Sequence, residues 1–259
     1  MPDYKVPVND YLFLFNDVMD MQSKYKKIDG GEEATPETVE AIFSEAAKFC
    51  ENELAPLYQI GDQGCVWDDG VVTTPPGFKE AYTKFIEAGW TSLTGEQALG
   101  GQGLPASIGV AINEMMTTAN WAWAMYPGLT EGAVATLETS GTEQQKKDYL
   151  PNLISGVWSG TMCLTEPHCG TDLGQMKTKA TPNDDGSFSV NGTKIFISAG
   201  EHDLTENIVH IVLAKLPDAP PGTKGLSLFI IPKFLPAADG SAGERNGVRC
   251  GSIEHKMGI

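Results

Sequence analysis

The apolar residues change their spacing once along these 259 residues, and that change limits the fold more than any other feature. Up to Trp158 they recur every three or four positions, the period of an amphipathic helix; after residue 160 they alternate, the period of a strand. The two periods belong to different elements, so a helical unit must be followed by a β unit. The expected class is α+β: an N-terminal helical bundle, then a small antiparallel β domain. The expected division is an N-terminal extension over 1–34, a helical domain over 35–160 and a β-rich domain over 161–259.

Within the helical part, Pro2 and Pro7 keep the start extended. Asn9 or Asp10 offers a cap for a helix with Leu12, Phe15, Val18 and Met19 on one face. Thr35-Pro36 is a second start signal, a capping hydroxyl followed by proline at the first helical position. Val39, Ile42, Phe43, Ala46, Cys50 and Leu54 follow at helical spacing, with an end near Pro56. Cys50 lies on the apolar face and reads as a buried thiol. Residues 57–77, rich in glycine and proline, read as a loop. Phe78, Tyr82, Phe85 and Ile86 mark another helix, stopped by Gly89.

Gly100-Gly101-Gln102-Gly103 follows no strand and fits neither the dinucleotide nor the phosphate-loop spacing, so it reads as a tight connection between helices. Ile108, Ile112, Met115, Met116 and Ala119 define the next helix. The cluster Trp121, Trp123, Met125 and Tyr126 reads as core before it reads as a pocket wall. Thr142 and Gln145 fit a capping box. Strands are expected over Thr161–Thr165, Lys177–Ala180, Ser187–Val190, Lys194–Ser198, Ile208–Ala214 and Leu226–Ile231, with one more at Gly247–Cys250 and Ile253.

The formal charge of −16 opposes binding to nucleic acid or to anionic membranes. Five irregularly spaced cysteines suggest reduced thiols and a cytoplasmic location. No apolar run has transmembrane length, and the first ten residues lack a basic-then-apolar leader pattern. Cys163, His168 and Cys169 raise the question of zinc, but no fourth ligand completes the spacing, so no metal is expected. His202, His210 and His255 are scattered and read as surface or satisfied core positions.

Two polar-and-small clusters stand out between Met162 and Gly200: CLTEPHCGTD at Cys163–Asp172 and NGTKIFISAG at Asn191–Gly200. The turn dipeptide Asp185-Gly186 lies between them and signals a hairpin. The clusters are expected at the ends of adjacent strands, where a rigid sheet fixes hydrogen-bonding groups.

The first cluster resembles the acyl-CoA dehydrogenase signature. Cys163, Leu164, Thr165, Glu166, Gly170, Thr171 and Asp172 match it; Cys169 and Gln175 depart from it. Lys194–Ser198 resembles that family's second flavin contact, with Phe196 where Trp is commoner. The Gly-Gly-x-Gly loop adds to the likeness. The Tyr-Lys-x-Pro opening resembles the longer branch of the family, which includes the 3-methylmercaptopropionyl-CoA dehydrogenases.

This resemblance implies α,β-desaturation of an acyl-CoA thioester, with FAD accepting a hydride at N5. Thr165 would bond the pyrimidine edge of the flavin, beside the Met162–Leu164 backbone, Cys163 included. Ser198 would reach the N5/O4 side, with Ile197 next to it, and Phe196 would pack on the ring. Gly170 and Thr171 would face the pyrophosphate. Glu166 and Asp172 are given structural roles. The resemblance places the catalytic base, a glutamate, in a C-terminal helical bundle, and nothing in the 259 residues, whose last six read as strand or turn, can be matched to it, so it is expected beyond residue 259 and the chain alone is expected not to turn over. Acyl-CoA, an electron-transfer flavoprotein and further copies of the chain are the implied partners. A flavin oxidase or monooxygenase on the same scaffold, or a non-catalytic short relative, remains an alternative.

Overall fold

The computed structural model describes residues 4–255. The extended start expected at Pro2 lies outside them, as does most of the strand or turn expected over 254–259. Helix α1 (Val8–Phe13) starts after Pro7 without a side-chain cap and continues as a π turn over Leu14–Val18. Of its expected apolar face only Phe15 is buried; Val18 and Met19 are exposed. After the short α2 (Met21–Tyr25), α3 (Pro36–Phe49) begins where expected: Thr35 Oγ1 accepts from the Thr38 N–H at 3.2 Å, with proline next in line. Val39, Phe43, Ala46, Cys50 and Leu54 are all buried. The chain then runs through a π turn and a 3-10 turn into α4 (Tyr58–Gly61) instead of stopping at Pro56. Burial pushes the Cys50 thiol up to about 12, which leaves it inert.

Residues 57–77 are not all loop. β1 (Val66–Asp68) and β2 (Val71–Thr73) form a hairpin on Asp69-Gly70, both with positive φ. Next come α5 (Phe78–Glu87), α6 (Ala106–Ala119), α7 (Trp121–Ser140) and α8 (Glu143–Ser155). The glycine cluster ahead of α6 is a close-approach device. A Cβ on Gly101 would sit 2.1 Å from the carbonyl carbon of Gly95, and Gly103 N–H bonds Gly95 O at 2.9 Å. The aromatic cluster at the start of α7 divides. Trp123 is core, donating to Phe78 O at 3.2 Å, whereas Trp121 is exposed. Thr142 and Gln145 form the capping box of α8.

The β half follows directly: β3 (Trp158–Cys163), β4 (Lys179–Pro182), β5 (Phe188–Asn191), β6 (Asn207–Lys215), β7 (Leu226–Pro232), β8 (Phe234–Pro236) and β9 (Ala242–Arg245). The order of a helical region and then a small β domain is as expected, but the sheet is mixed, not antiparallel throughout. β6 is its buried centre. β3 runs parallel to β6, from Trp158 opposite Asn207 to Cys163 opposite Val212, while β7 pairs antiparallel on the other edge. The long connection over 164–206 permits the parallel return. Val209 and Ile211 of β6 pack with Trp158 against Ala133, Leu137, Leu150 and Leu153, so α7 and α8 cover that face. β4 and β5 form the expected hairpin on Asp185-Gly186. Two strand expectations fail: Lys194–Ser198 and Gly247–Cys250 are irregular, and β8–β9 is an additional antiparallel ladder. Among the described residues no helix is long and apolar enough to cross a membrane.

Candidate functional site

The two sequence clusters do meet, but not at the ends of adjacent strands, because β3 and β5 are separated by β6 and β4. After β5 the chain doubles back as an irregular segment beside the end of β3. Ile195 N–H donates to Thr165 O at 3.0 Å, and Thr161 Oγ1 donates to Ser198 O at 2.8 Å. Residues 195–198 therefore lie antiparallel to 161–165. Phe196 and Ala199 have φ of 58° and 52°, a left-handed conformation that is rare for a bulky residue and costs about 1–3 kcal/mol. This kink breaks the expected strand and leaves the Phe196 ring 51% exposed.

Thr165 and Ser198 are half-buried, and neither hydroxyl has a hydrogen-bond partner among the described residues. Cys163, Phe196, Ile197 and Ser198 line an open cleft of about 2060 Å³, with Met125 and Tyr126 of α7 on its wall. Thr165, Met162, Leu164, Gly170 and Thr171 are not part of that wall. Met162 and Thr171 are exposed, and a Cβ on Gly170 would lie 3.3 Å from Thr165 Cγ2, so the turn packs closely onto Thr165.

Glu166 ties the loop down. Its carboxylate accepts from the Lys177 N–H at 2.8 Å, the Thr178 N–H at 3.0 Å, the Thr178 hydroxyl and Lys194 Nζ at 3.0 Å. Burial works against its charge, but these donors outweigh burial and hold the carboxyl at about 2. Glu166, His168 and Cys169 bring three possible metal-ligand atoms within 4.8 Å of one another. That donor set is already committed: a cation would have to displace the Lys194 ammonium, and His168 Nε2 faces Gln175 O at 3.0 Å. Cys163 lies elsewhere, its Sγ 3.8 Å from His210 Nδ1. Asp172 accepts from Gln175 Nε2 at 2.7 Å, within the same turn.

A buried Ser159–His202 contact of 3.0 Å invites a nucleophile reading, which its direction excludes. Leu204 N–H donates to His202 Nδ1, so Nε2 carries the proton and donates to Ser159. Ser159 in turn meets Thr205, which donates to Asn207 O. This is a one-way structural relay, and the imidazole cannot accept the serine proton. His210 is also buried, and its Nε2 has no partner among the described residues. The sequence reading missed the clamp residues Lys194, Thr161 and Thr178. A lone lysine leading an apolar run was the available signal for the first.

Helices on one face of a small mixed sheet, with two irregular segments paired beside the end of β3, define an α+β unit with an open cleft. Residues 36–157 match the acyl-CoA dehydrogenase N-terminal domain, and residues 161–259 match the acyl-CoA dehydrogenase middle domain. The chain belongs to the acyl-CoA dehydrogenase family, a family of FAD-dependent dehydrogenases. It is 43% identical to a 3-methylmercaptopropionyl-CoA dehydrogenase of Ruegeria pomeroyi over 99% of its own length and 44% of that relative's. The chain thus spans less than half of that relative. Butyryl-CoA dehydrogenase from Megasphaera elsdenii superimposes with a TM-score of 0.60 at 28% identity, over 74% of this chain and 48% of that one. An acyl-CoA dehydrogenase from Bacillus anthracis complexed with FAD gives 0.61 at 27% identity, over 78% and 31%.

Proposed function

We propose that this chain forms the helical and β portions of an enzyme that desaturates an acyl-CoA thioester between its α and β carbons. The observation that carries the reading is the pairing of the Thr165 segment with residues 195–198: the hydroxyls of Thr165 and Ser198 have no partner among the described residues, and the half-exposed, left-handed Phe196 lies between the two points of pairing. When bound, FAD supplies the acceptor for the hydride leaving the β-carbon. The residues present suit that cofactor. Thr165, beside the Met162–Leu164 backbone, offers hydrogen bonds to a polar ring edge, and Ser198 offers another from the facing segment. Phe196 and Ile197 present an apolar face. Gly170 and Thr171 lie on a turn where the backbone can approach a phosphate group. Glu166 and Asp172 keep structural roles, because their carboxylates are engaged within the loop.

The base that takes the α-proton is assigned to the part of the longer relatives that this chain does not span. The 259 residues by themselves are therefore expected to give no turnover. An electron-transfer flavoprotein as acceptor and a homo-oligomeric assembly follow as parts of the same proposal.

The test uses the longest protein that contains this sequence, purified and scanned in the visible with a panel of acyl-CoAs. A yellow chromophore bleached by one thioester under anaerobic conditions is the expected result. A colourless protein, or a yellow one that no thioester bleaches, contradicts the proposal.

A further inference from the structure

We infer that Lys194 is a positioning residue: it turns the Leu164–Thr165 peptide so that the Thr165 N–H faces the ligand side of the loop. In its bearing on FAD this rests on the function proposed above. Lys194 Nζ lies 3.0 Å from Leu164 O, 3.0 Å from Glu166 Oε1 and 3.4 Å from Met176 Sδ. Those contacts use all three of its N–H donors, so the ammonium cannot swing freely. Its side chain is 10% exposed and that of Glu166 is 2% exposed, so the ammonium is spent within the protein even though Lys194 also lines the cleft.

A planar trans peptide points its C=O and the following N–H in opposite directions, and no described peptide bond is cis. Drawing Leu164 O inward onto Lys194 therefore turns the Thr165 N–H outward. The carbonyl of Thr165 is fixed in turn by the Ile195 N–H. Thr165 is thus held through the carbonyls on both sides of its α-carbon, while its own N–H and hydroxyl have no partner among the described residues. Two donors on one residue, both unspent among the described residues, suit a ligand edge that carries neighbouring acceptors, as the pyrimidine edge of a flavin does. Lys194 reaches that edge only through the backbone it holds.

The experiment separates positioning from stability. Replacing both members of a buried pair with neutral residues of similar volume restores much of the stability lost when only one is removed. Glu166→Gln/Lys194→Met is therefore compared with the wild-type chain by thermal melting, amide NMR of Thr165 and FAD titration. The expected result is a folded protein with a lowered melting temperature, since the glutamine amide replaces only one carboxylate oxygen as acceptor, a moved Thr165 amide resonance even without flavin, and about tenfold weaker FAD binding, the worth of one hydrogen bond. Lys194→Arg serves as the second variant. It keeps the charge but replaces tetrahedral donors with a planar fork, and it should weaken FAD binding by a similar factor.

Variants that fold and bind FAD as tightly as the wild type, with Thr165 unmoved, overturn the inference and leave the proposed cofactor standing. A wild-type chain whose Thr165 resonance ignores millimolar FAD overturns the cofactor reading itself.

Discussion

Glu166→Ala is expected to cost about 3–5 kcal/mol of folding stability, a large share of what a single domain has. The side chain is 2% exposed and carries a full charge, since its carboxyl is held at about 2. Removing it leaves the Lys194 ammonium buried without its counter-charge. It also strips the Lys177 and Thr178 N–H groups and the Thr178 hydroxyl of their acceptor. Each loss alone would be felt, because a buried donor without a partner costs about 1–3 kcal/mol. Gly192 makes collapse of the site harder. A Cβ there would already meet Thr178 Oγ1 at 2.1 Å, so the backbones around Thr178 have little room to rearrange. Equilibrium urea unfolding at neutral pH measures the effect. A cost under about 1 kcal/mol, the range of exposed pairs, would show that solvent reaches the pair and that the clamp described here is wrong.

Acidification should destabilise the fold well before the carboxylates titrate. Burial, reinforced by Lys233, pushes His202 down to about 3 and His210 down to about 4, from an ordinary value of 6.5. In the unfolded chain both imidazoles take up a proton as the pH falls through 6.5; in the folded chain they stay neutral. The unfolded state then binds up to two more protons, so stability falls as pH falls, by about 1.4 kcal/mol per unit for each histidine. Between pH 6.5 and 4.5 this amounts to on the order of 5 kcal/mol. Below 4.5 Glu166 acts in the same direction, because its folded value is depressed and its stabilisation is lost as it protonates. Glu131 and Glu138, raised by burial, oppose the trend. Chemical denaturation across this range reads the slope. His210→Phe should roughly halve it between pH 6.5 and 4.5, and a wild-type slope near zero there would refute the buried neutral assignment.

Local signals carried much of the architecture. The change of apolar period near residue 160 marks the passage from α8 to β3, and Thr35 and Thr142 cap their helices through the hydroxyls that announced them. Of the four Asp-Gly dipeptides three sit on hairpins, and one of those was read as such. Asp185-Gly186 was read as a hairpin, but Asp69-Gly70 and Asp239-Gly240 do the same work for β1–β2 and β8–β9. Asp185 and Asp239 even make the same contacts, each Oδ1 accepting from the N–H and the hydroxyl of a serine two residues on. Those two ladders are short, and one lay in a stretch whose glycines and prolines pointed to loop.

Other features had no local signal. Parallel pairing of β3 with β6 depends on where a connection of some forty residues returns, which no spacing encodes. At Lys194–Ser198 the alternation is genuine, yet the left-handed Phe196 breaks the strand. Phenylalanine seldom adopts that conformation, so only the surrounding hydrogen bonds could reveal it. The motif picked out the residues of the candidate site, whereas the clamp behind it became visible only with the fold.

The central claim is that Thr165, Ser198 and Phe196 form one flavin-sized surface, and a structure of the chain determined with FAD at saturating concentration tests it most directly. The account predicts the isoalloxazine against Phe196, its polar edge within hydrogen-bond distance of Thr165 and Ser198, and the pyrophosphate beside Gly170 and Thr171. FAD absent from such a structure, or bound away from these residues, would contradict it.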